Sequence, residues 1–469
     1  MPTTTNIAHH LVADRQKTYW ELSDRVWDSP ELNYKEFKSS KLHEDALRRE
    51  GFAVSTGIGG LPTAIMGEAG SGGPIIAILG EFDALPGLEQ SAGSLTPNED
   101  ANLGAGHGCG HNLLGAASLL AAVAVKNYLS SSNVQGRVRY YGCPAEEGGS
   151  GKAYLVRSGA FGDVDAAITW HPASYCGIAN PVSLACNEIV FEFKGRSAHA
   201  AVCPHLGRSA LDAVELMNVG VNYLREHIPS RARIHYAITD TGGHAPNVVQ
   251  ANAAVRYVVR GSDTNELRDL VERVFKVAEG AAMMTETTVK WRIVTGEANL
   301  LGNETLENLM FRCLQEYGAP KFDEADQAFA KDIQKTFPSG SVEGTVKCLN
   351  LRTSRNSALI TDLVAPRSTD PSVAGSTDIG NVSWVVPTVE FRSTTHAMGT
   401  PAHSWQIVSQ GKMPAAHKGL SHAAVIMAAT AMELLLNPAL LQKAKDEHLN
   451  LRRESDYVDP LPLAAVAEI

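Results

Sequence analysis

The 469-residue sequence lacks the segments that mark secreted and membrane-spanning proteins. Its longest apolar runs, residues 113–125 and 423–436, fall short of the about 20 residues that span a bilayer, so we interpret them as buried helices. The N-terminus lacks the basic and then apolar pattern of a signal peptide. The 7 cysteines are scattered and odd in number, which does not fit a disulfide framework. We therefore predict a cytoplasmic protein, without a membrane partner, whose thiols stay reduced.

The chain is also short of basic residues. Its formal net charge is -10 and no basic stripe runs along it, which excludes nucleic acid as an expected partner. Hydrophobic residues make up 44% and charged residues 20%, as is typical of soluble globular proteins. Because the chain is longer than one ordinary core requires, we expect two domains.

The order of strand and helix patterns predicts an α/β protein. Strands and helices alternate through residues 1–185 and resume over 299–469, which predicts one domain with a central mixed sheet flanked by helices. Between them, residues 186–298 follow the order β-α-β-β-α-β, which predicts an inserted ferredoxin-like domain. In the first domain polar residues follow directly after strands, where open α/β sheets bind ligands. Residues 302–375 have no assigned role.

Thiol, imidazole and carboxylate groups recur at these strand ends. GHGCGHNLLG crowds a thiol and two imidazoles between glycines, PAEEGG places two glutamates after a strand, and ITWHP and TTHAMGTPAHSWQ add histidines. This mixture suits zinc or a neighbouring divalent metal. It offers more ligands than one tetrahedral ion needs, and two ions sharing ligands would account for the surplus. The residues concerned are Cys109, His111, Glu146, Glu147, His171, His396 and His403.

Two other interpretations of these residues stay open. Cys109 could be a nucleophile with His111 as its base, although placement at i and i+2 serves chelation better than proton transfer. The chain could also bind a metal or ligand without catalysis. Against this, Glu146 and Glu147 are adjacent, so that one can bind metal while the other faces a water as a base, which a mere binder would not need.

The motifs GHGCGHNLLG, CPAEEGG, ITWHP, FKGRSAHAA, GSTDIG and PAHSWQ together resemble the metallopeptidase-20 family. They are most similar to its amidohydrolase branch of hippurate and indole-acetyl-amino-acid hydrolases, and they cover almost the whole chain in order. The resemblance implies metal-dependent hydrolysis of the amide bond of an N-acyl or N-aroyl amino acid by an activated water. Aminobenzoyl-glutamate-like or indole-acetyl-aspartate-like compounds are the expected substrates. The alternatives are one component of a heteromer that needs a related A-type chain and a catalytically silent homologue.

Carried over by motif, the resemblance implies roles for residues of the first domain. Two divalent ions, Mn²⁺ or Zn²⁺ with Co²⁺ or Ni²⁺ as alternatives, would be held by Cys109, His111, Glu147, His171 and His403. The spacing to the apolar helix GLSHAAVIM favours His403 over His396 as the last ligand. Glu146 matches the general base. Asp83 matches a residue that does not bind the metal itself but orients one of the metal ligands. His107 has a counterpart without an assigned role.

The resemblance also implies roles in the inserted domain, a lid and dimerisation domain in this family. His199, in GRSAHAA, would reach the active site of the partner chain and stabilise the oxyanion there. Asn247, in APNVV, would lie near the substrate. Arg260 could anchor a substrate carboxylate, or form a salt bridge within its sheet. We therefore expect a homodimer, or a heteromer with a related chain. The sequence departs from many members at Asn112, where an aspartate would supply negative charge.

Overall fold

The structure of the protein, a computed structural model, describes residues 2–98, 104–178, 180–351, 357–369, 375–455 and 457–469. Its α-helices are α1 Thr4–Ala13, α2 Gln16–Trp27, α3 Phe37–Arg49, α4 His111–Ser131, α5 Gly151–Arg157, α6 Ala210–Leu224, α7 Thr264–Thr285, α8 Glu304–Tyr317, α9 Glu324–Gln334, α10 Ser341–Cys348, α11 Ile379–Ser383, α12 Trp405–Gln410, α13 Pro414–Leu436 and α14 Pro438–Glu454. Its strands are β1 Ala53–Thr56, β2 Ile65–Ser71, β3 Ile75–Glu81, β4 Leu85–Pro86, β5 Ala105–Gly106, β6 Gly136–Cys143, β7 Ala166–Ala173, β8 Cys176–Ile178, β9 Ala185–Lys194, β10 Arg233–Asp240, β11 Asn252–Gly261, β12 Thr288–Glu297, β13 Leu363–Val364 and β14 Thr388–Thr394.

A mixed eight-stranded sheet forms the centre of the first domain, in the order β1-β2-β6-β3-β7-β14-β8-β13. Strands β6, β3, β7 and β14 are parallel, whereas β2 pairs antiparallel with β6 and β8 with β14. All of β3 is buried, and its alternate side chains enter two cores. Ile76 and Ile78 belong to one core, and Ala77 and Leu79 to the other. Helices therefore cover both faces, and the predicted α/β class is confirmed.

Helices α4 and α13 pack against each other in the larger core. Both are long and apolar enough to cross a membrane by length and composition alone, but 78% and 83% of their apolar windows are buried within the protein. They contain the two apolar runs that the sequence analysis interprets as buried helices. Both helices are rich in alanine, and most of their residues are buried.

A four-stranded antiparallel sheet forms the second domain, in the order β10-β11-β9-β12. Its elements follow as β9-α6-β10-β11-α7-β12, which confirms the predicted ferredoxin-like order. Along β11 buried residues alternate with partly exposed ones, and Val255 and Val259 pack into a core that includes residues of α6 and α7. The other face of this sheet therefore carries the alternate, polar side chains.

The carboxyl ends of the parallel strands lie at one edge of the large sheet. Strand β3 ends at Glu81 and β6 ends at Cys143, each followed by a loop with candidate residues. One expectation needs correction: His171 does not end its strand, because β7 continues to Ala173 and pairs with β14, where Arg392 lies opposite the histidine. The described part of residues 302–375 contains α8, α9 and α10.

Close packing between α4 and β3 sets the position of the start of α4, and it requires a glycine. A Cβ atom on Gly115 would lie 2.5 Å from the carbonyl oxygen of Glu81 and 2.7 Å from Cε1 of His43. We expect Gly115→Ala to lower the free energy of unfolding by about 1–3 kcal/mol, the range typical of overpacking, as measured by urea denaturation.

The matched control is Gly280→Ala within α7, where a Cβ atom would meet nothing within 4 Å. This substitution should raise the free energy of unfolding by about 0.5–1 kcal/mol, because alanine is preferred over glycine inside a helix. If both variants change stability in the same direction and by the same amount, the packing argument is wrong.

Candidate metal centre

The glycine loop before α4 brings a thiol and an imidazole to the edge of the sheet. Gly110 caps the helix with a left-handed φ of 82°, and a Cβ atom there would lie 3.1 Å from Pro172. A Cβ atom on Gly108 would lie 2.4 Å from Leu88. Small residues at these positions let the backbone turn between Cys109 and His111, so that both side chains face the same space.

The loop after β6 presents the adjacent glutamates in a constrained turn. Ala145 and Ser150, on either side of them, have left-handed φ values of 57° and 53°, which side chains rarely adopt. Glu36 holds the turn, because its Oε1 accepts hydrogen bonds from the backbone N–H of Ala145 at 3.0 Å and of Tyr34 at 2.9 Å. Such strain persists where surrounding contacts fix the backbone, and it is common at functional sites.

The five predicted ligands fall into two groups that share Cys109. The ligand atoms of Cys109, His111 and His171 all lie within 4.8 Å of one another, and so do those of Cys109, Glu147 and His403. A third group of this kind contains Glu81, His111 and Glu146. His403 is the outermost member, with a left-handed φ of 52° and a side chain that is 54% exposed.

The spacing of these atoms fits a divalent cation. Metal bonds of about 2.0–2.3 Å at tetrahedral angles separate ligand atoms by roughly 3.3–3.8 Å. Cys109 Sγ lies 3.3 Å from His171 Nε2, and His403 Nε2 lies 3.5 Å from Glu147 Oε2. His111 Nε2 and Glu147 Oε1 are 3.9 Å apart, and both are buried without a hydrogen-bond partner among the described residues. A cation in each ligand group would give both atoms a partner.

Asp83 lies directly behind this cluster. Its Oδ1 is 2.8 Å from His111 Nδ1, and its Oδ2 accepts a hydrogen bond from the backbone N–H of Glu147 at 2.9 Å. With Nδ1 donating to the carboxylate, Nε2 of His111 presents its lone pair to the cluster. The position is the one that an orienting carboxylate occupies.

Two other histidines of the sequence analysis lie outside the candidate groups. His396 contacts Thr395 Oγ1 through Nδ1 at 3.0 Å, and burial lowers its pKa to about 3. His107 contacts the carbonyl oxygen of Val26 at 3.1 Å, and burial lowers its pKa to about 4. Among the described residues, the geometry therefore favours His403 over His396 as the last ligand.

Burial and like charges shift the acid–base behaviour of the cluster. Burial raises the pKa of Glu146 well above its usual value, and the carboxylates of Glu81 and Glu147 raise it further. Burial alone would lower the pKa of His111, but the charges of Cys109 and Asp83 raise it well above the usual value. Negative groups are thus crowded around this space, which favours a bound cation.

A buried ion-pair network beside the cluster was missed by the sequence analysis. Lys152 Nζ lies 2.7 Å from Glu81 Oε1 and 2.6 Å from Asp378 Oδ1, and none of the three side chains is more than 1% exposed. The network joins the end of β3 to the starts of α5 and α11. Each of the three charged residues directly follows an apolar or glycine-rich segment of the sequence, and this position was the available signal of burial. A buried charged residue needs a partner of opposite charge.

The inserted domain brings one of its three predicted residues to this site. Arg260 lines a cavity of about 530 Å³ together with Glu146 and His403, and it donates a hydrogen bond to Ser376 Oγ. His199 and Asn247 are exposed, and neither is among the described residues that line this cavity. Within one chain the structure therefore brings Arg260 to the candidate centre and leaves His199 and Asn247 outside.

Comparison with known proteins identifies the chain as an amidohydrolase. The family described as "Peptidase family M20/M25/M40" matches residues 77–338, and the chain belongs to this family. The chain is 46% identical over 468 residues to the B component of p-aminobenzoyl-glutamate hydrolase from Escherichia coli (strain K12), covering 96% of each. GEFDALPG, CGHN and STDIGNVSWVVPTVEF predict similarity to this component, and the comparison confirms it. The chain is also 28% identical to the mouse (Mus musculus) Xaa-Arg dipeptidase, covering 91% of this chain and 88% of that protein.

Solved structures share the fold. A dinuclear metal-binding peptidase of the M20 family from Bacillus subtilis matches with a TM-score of 0.57 at 17% identity, covering 90% of this chain and 99% of its own. An aminobenzoyl-glutamate utilization protein from Klebsiella pneumoniae matches with a TM-score of 0.58 at 17% identity, covering 89% and 97%. At this identity the likeness extends to the fold alone.

Proposed function

We propose that the protein hydrolyses the amide bond of an N-acyl or N-aroyl amino acid with two divalent cations, Mn²⁺ or Zn²⁺, with Co²⁺ or Ni²⁺ as alternatives. The observation that carries this proposal is the pair of ligand groups that share Cys109 beside Glu146. The 46% identical relative is named for p-aminobenzoyl-glutamate, so aminobenzoyl-glutamate-like compounds are candidate substrates. Indole-acetyl-aspartate-like compounds are the other candidates, as a 30% identical relative is named for indole-3-acetyl-aspartic acid.

Each cation would be held by one ligand group. Cys109, His111 and His171 would hold one, and Cys109, Glu147 and His403 the other, with the thiolate shared between them. Burial and the charge of Arg392 lower the pKa of His171, which keeps its imidazole in the neutral form that binds metals. When bound, the cations supply Lewis acidity that polarises the amide carbonyl and acidifies the attacking water.

Glu146 is the general base in this proposal. It belongs to neither group that shares Cys109, and its Oε2 lies 4.0 Å from His111 Nε2, inside the cavity. Its carboxylate would accept a proton from the attacking water and return it to the leaving nitrogen. A pKa raised by burial suits this exchange near neutral pH. Arg260, on the opposite wall, would anchor the α-carboxylate of the amino acid.

Glu146→Gln should lower kcat by about 10²–10⁴-fold, because the amide cannot accept the proton. We expect the metal content of the variant to equal that of the wild type, since Glu146 lies outside both proposed ligand sets. Steady-state kinetics on a panel of N-benzoyl amino acids and elemental analysis of the protein measure the two quantities. The control is Glu279→Gln on the exposed side of α7. Turnover within tenfold of wild type, or a loss of metal, would show that the role is misassigned.

We further infer that the chain acts as a homodimer in which His199 completes the site of the partner. His199 is exposed on the inserted domain, away from the cavity of its own chain. Leu216, Val219 and Tyr223 of α6 are exposed apolar residues, and the neighbouring strand β10 is an edge of its sheet. An apolar face beside an open strand edge favours contact with a second copy.

Mixed dimers test this arrangement directly. His199→Ala and Glu146→Gln chains should each have little activity alone, but coexpression should restore about a quarter of wild-type activity. The reason is that half of the random dimers would contain one site with an intact glutamate and an intact histidine from the partner. If His199 acts within its own chain, no activity returns.

A heteromer with a related A-type chain is the second candidate, because the relatives include both the A and the B components of p-aminobenzoyl-glutamate hydrolase. In that case the purified wild-type chain would bind metal and stay inactive until the second chain is added. A catalytically silent homologue would stay inactive in both conditions. We also propose a cytoplasmic location, as predicted from the scattered cysteines.

A further inference from the structure

The cavity beside the candidate metal centre has a strongly basic wall. Its volume is about 530 Å³, and the candidate ligands Glu147 and His403 lie on one side. The inserted domain also lines the cavity, with the basic residues Arg231, Arg233, His235 and Arg260 and with one carboxylate, Glu297. Glu297 and one substrate carboxylate together do not balance the charges of three arginines.

The pleat of the inserted sheet aims these residues in one direction. Ala232 and Ile234 belong to the buried core of the inserted domain. Successive side chains along a strand point to opposite faces, so the residues that alternate with these two share the face toward the cavity. Arg233 and His235 occupy such positions on β10. Arg260 shares their face, because it lies directly opposite Arg233 in the antiparallel pairing with β11.

Two like charges directly opposite in a sheet are unfavourable unless an anion joins them. Side chains at such positions have Cβ atoms about 4.5–5.5 Å apart, and like charges there destabilise the pair. Arg233 donates to the carbonyl oxygens of Ser230 at 2.6 Å and Ala232 at 2.8 Å, and Arg260 donates to a serine hydroxyl. Neither guanidinium forms an ion pair with a carboxylate among the described residues.

Another arginine of β11 has its charge compensated by a carboxylate. Arg256 pairs with Glu188 on the adjacent strand β9. The wall of the cavity carries no such compensation for Arg233 in the part of the chain that the structure describes. Burial lowers the pKa of His235, and the charges of Arg260, Arg225 and Arg233 lower it further, as expected in a positive field.

We propose that Arg233, flanked by Arg231 and His235, binds the side-chain carboxylate of an acidic amino acid in the substrate. The inference rests on the proposed function, in which Arg260 takes the α-carboxylate and the amide lies beside Glu146. The two carboxyl carbons of glutamate are roughly 5 Å apart by standard bond lengths. Arg233 and Arg260 lie directly opposite each other on neighbouring strands, so their long side chains extend from adjacent points of the cavity wall. A subsite of this kind would select N-acyl derivatives of dicarboxylic amino acids, the class to which both candidate substrates of the proposed function belong.

The test compares N-benzoyl-L-glutamate with its neutral isostere N-benzoyl-L-glutamine on the metal-loaded protein. Wild type should prefer the glutamate compound in kcat/KM by about 10–100-fold, the range for hydrogen bonds to charged groups. Arg233→Gln should remove this preference by raising KM for the glutamate compound. Its kcat/KM for the glutamine compound should stay within about twofold of the wild-type value. Arg256→Gln, which alters the arginine that already has a partner, should keep the preference.

A charge-retaining variant and a binding measurement distinguish loss of the subsite from misfolding of the variant. Arg233→Lys keeps the charge but loses the planar fork, so it should recover part of the preference. Calorimetric titration with glutarate and with pentanoate, which differ by one carboxylate, reports on the subsite without hydrolysis. Wild type should bind glutarate more tightly, and Arg233→Gln should bind both alike.

The outcomes separate this inference from the proposed function. Turnover of both benzoyl compounds at equal rates, or an equal loss of both in Arg233→Gln, overturns the acidic subsite and leaves the hydrolase intact. No turnover of any N-acyl amino acid overturns the proposed function. In that case a preference for glutarate that disappears in Arg233→Gln still supports the subsite, and equal binding of the two ligands refutes it.

Discussion

Burial of excess negative charge at the carboxyl edge of the large sheet is the constraint on which the site depends. The carboxylates of Glu81, Asp83 and Glu147 converge there with the thiol of Cys109, and burial raises the pKa of that thiol. Lys152 forms ion pairs with Glu81 and Asp378, but among the described residues it forms none with Asp83 or Glu147. Buried charges are stable only when paired or bound to a metal. Cations bound by Cys109 and its neighbours would therefore stabilise the packing of β3, α4 and the loop after β6.

The chain order and the strand ends could be read from the sequence because they depend on local patterns. Alternating apolar runs predicted the large sheet, and the change of pattern after residue 185 predicted the ferredoxin-like order. Polar residues after β3 and β6 converge because parallel strands end at one edge. The motif resemblance added Asp83 and the preference for His403 over His396, and both positions are consistent with the geometry.

The remaining features depend on contacts between distant segments. Lys152 looks like an ordinary helix residue until α5, β3 and α11 enclose it. The opposition of Arg233 and Arg260 depends on the register between β10 and β11, which neither strand specifies alone. The left-handed backbone of His403 likewise has no signature in PAHSWQ, because non-glycine residues adopt it only where surrounding structure holds them.

X-ray absorption spectroscopy of the metal-loaded protein tests the central claim most directly. A thiolate shared by two cations predicts a sulfur scatterer at about 2.3 Å with nitrogen and oxygen at about 2.0–2.2 Å. It also predicts a metal–metal vector at about 3.5–4 Å. Cys109→Ser should remove the sulfur contribution. A spectrum with nitrogen and oxygen ligands alone, and without a metal–metal vector, would contradict the account.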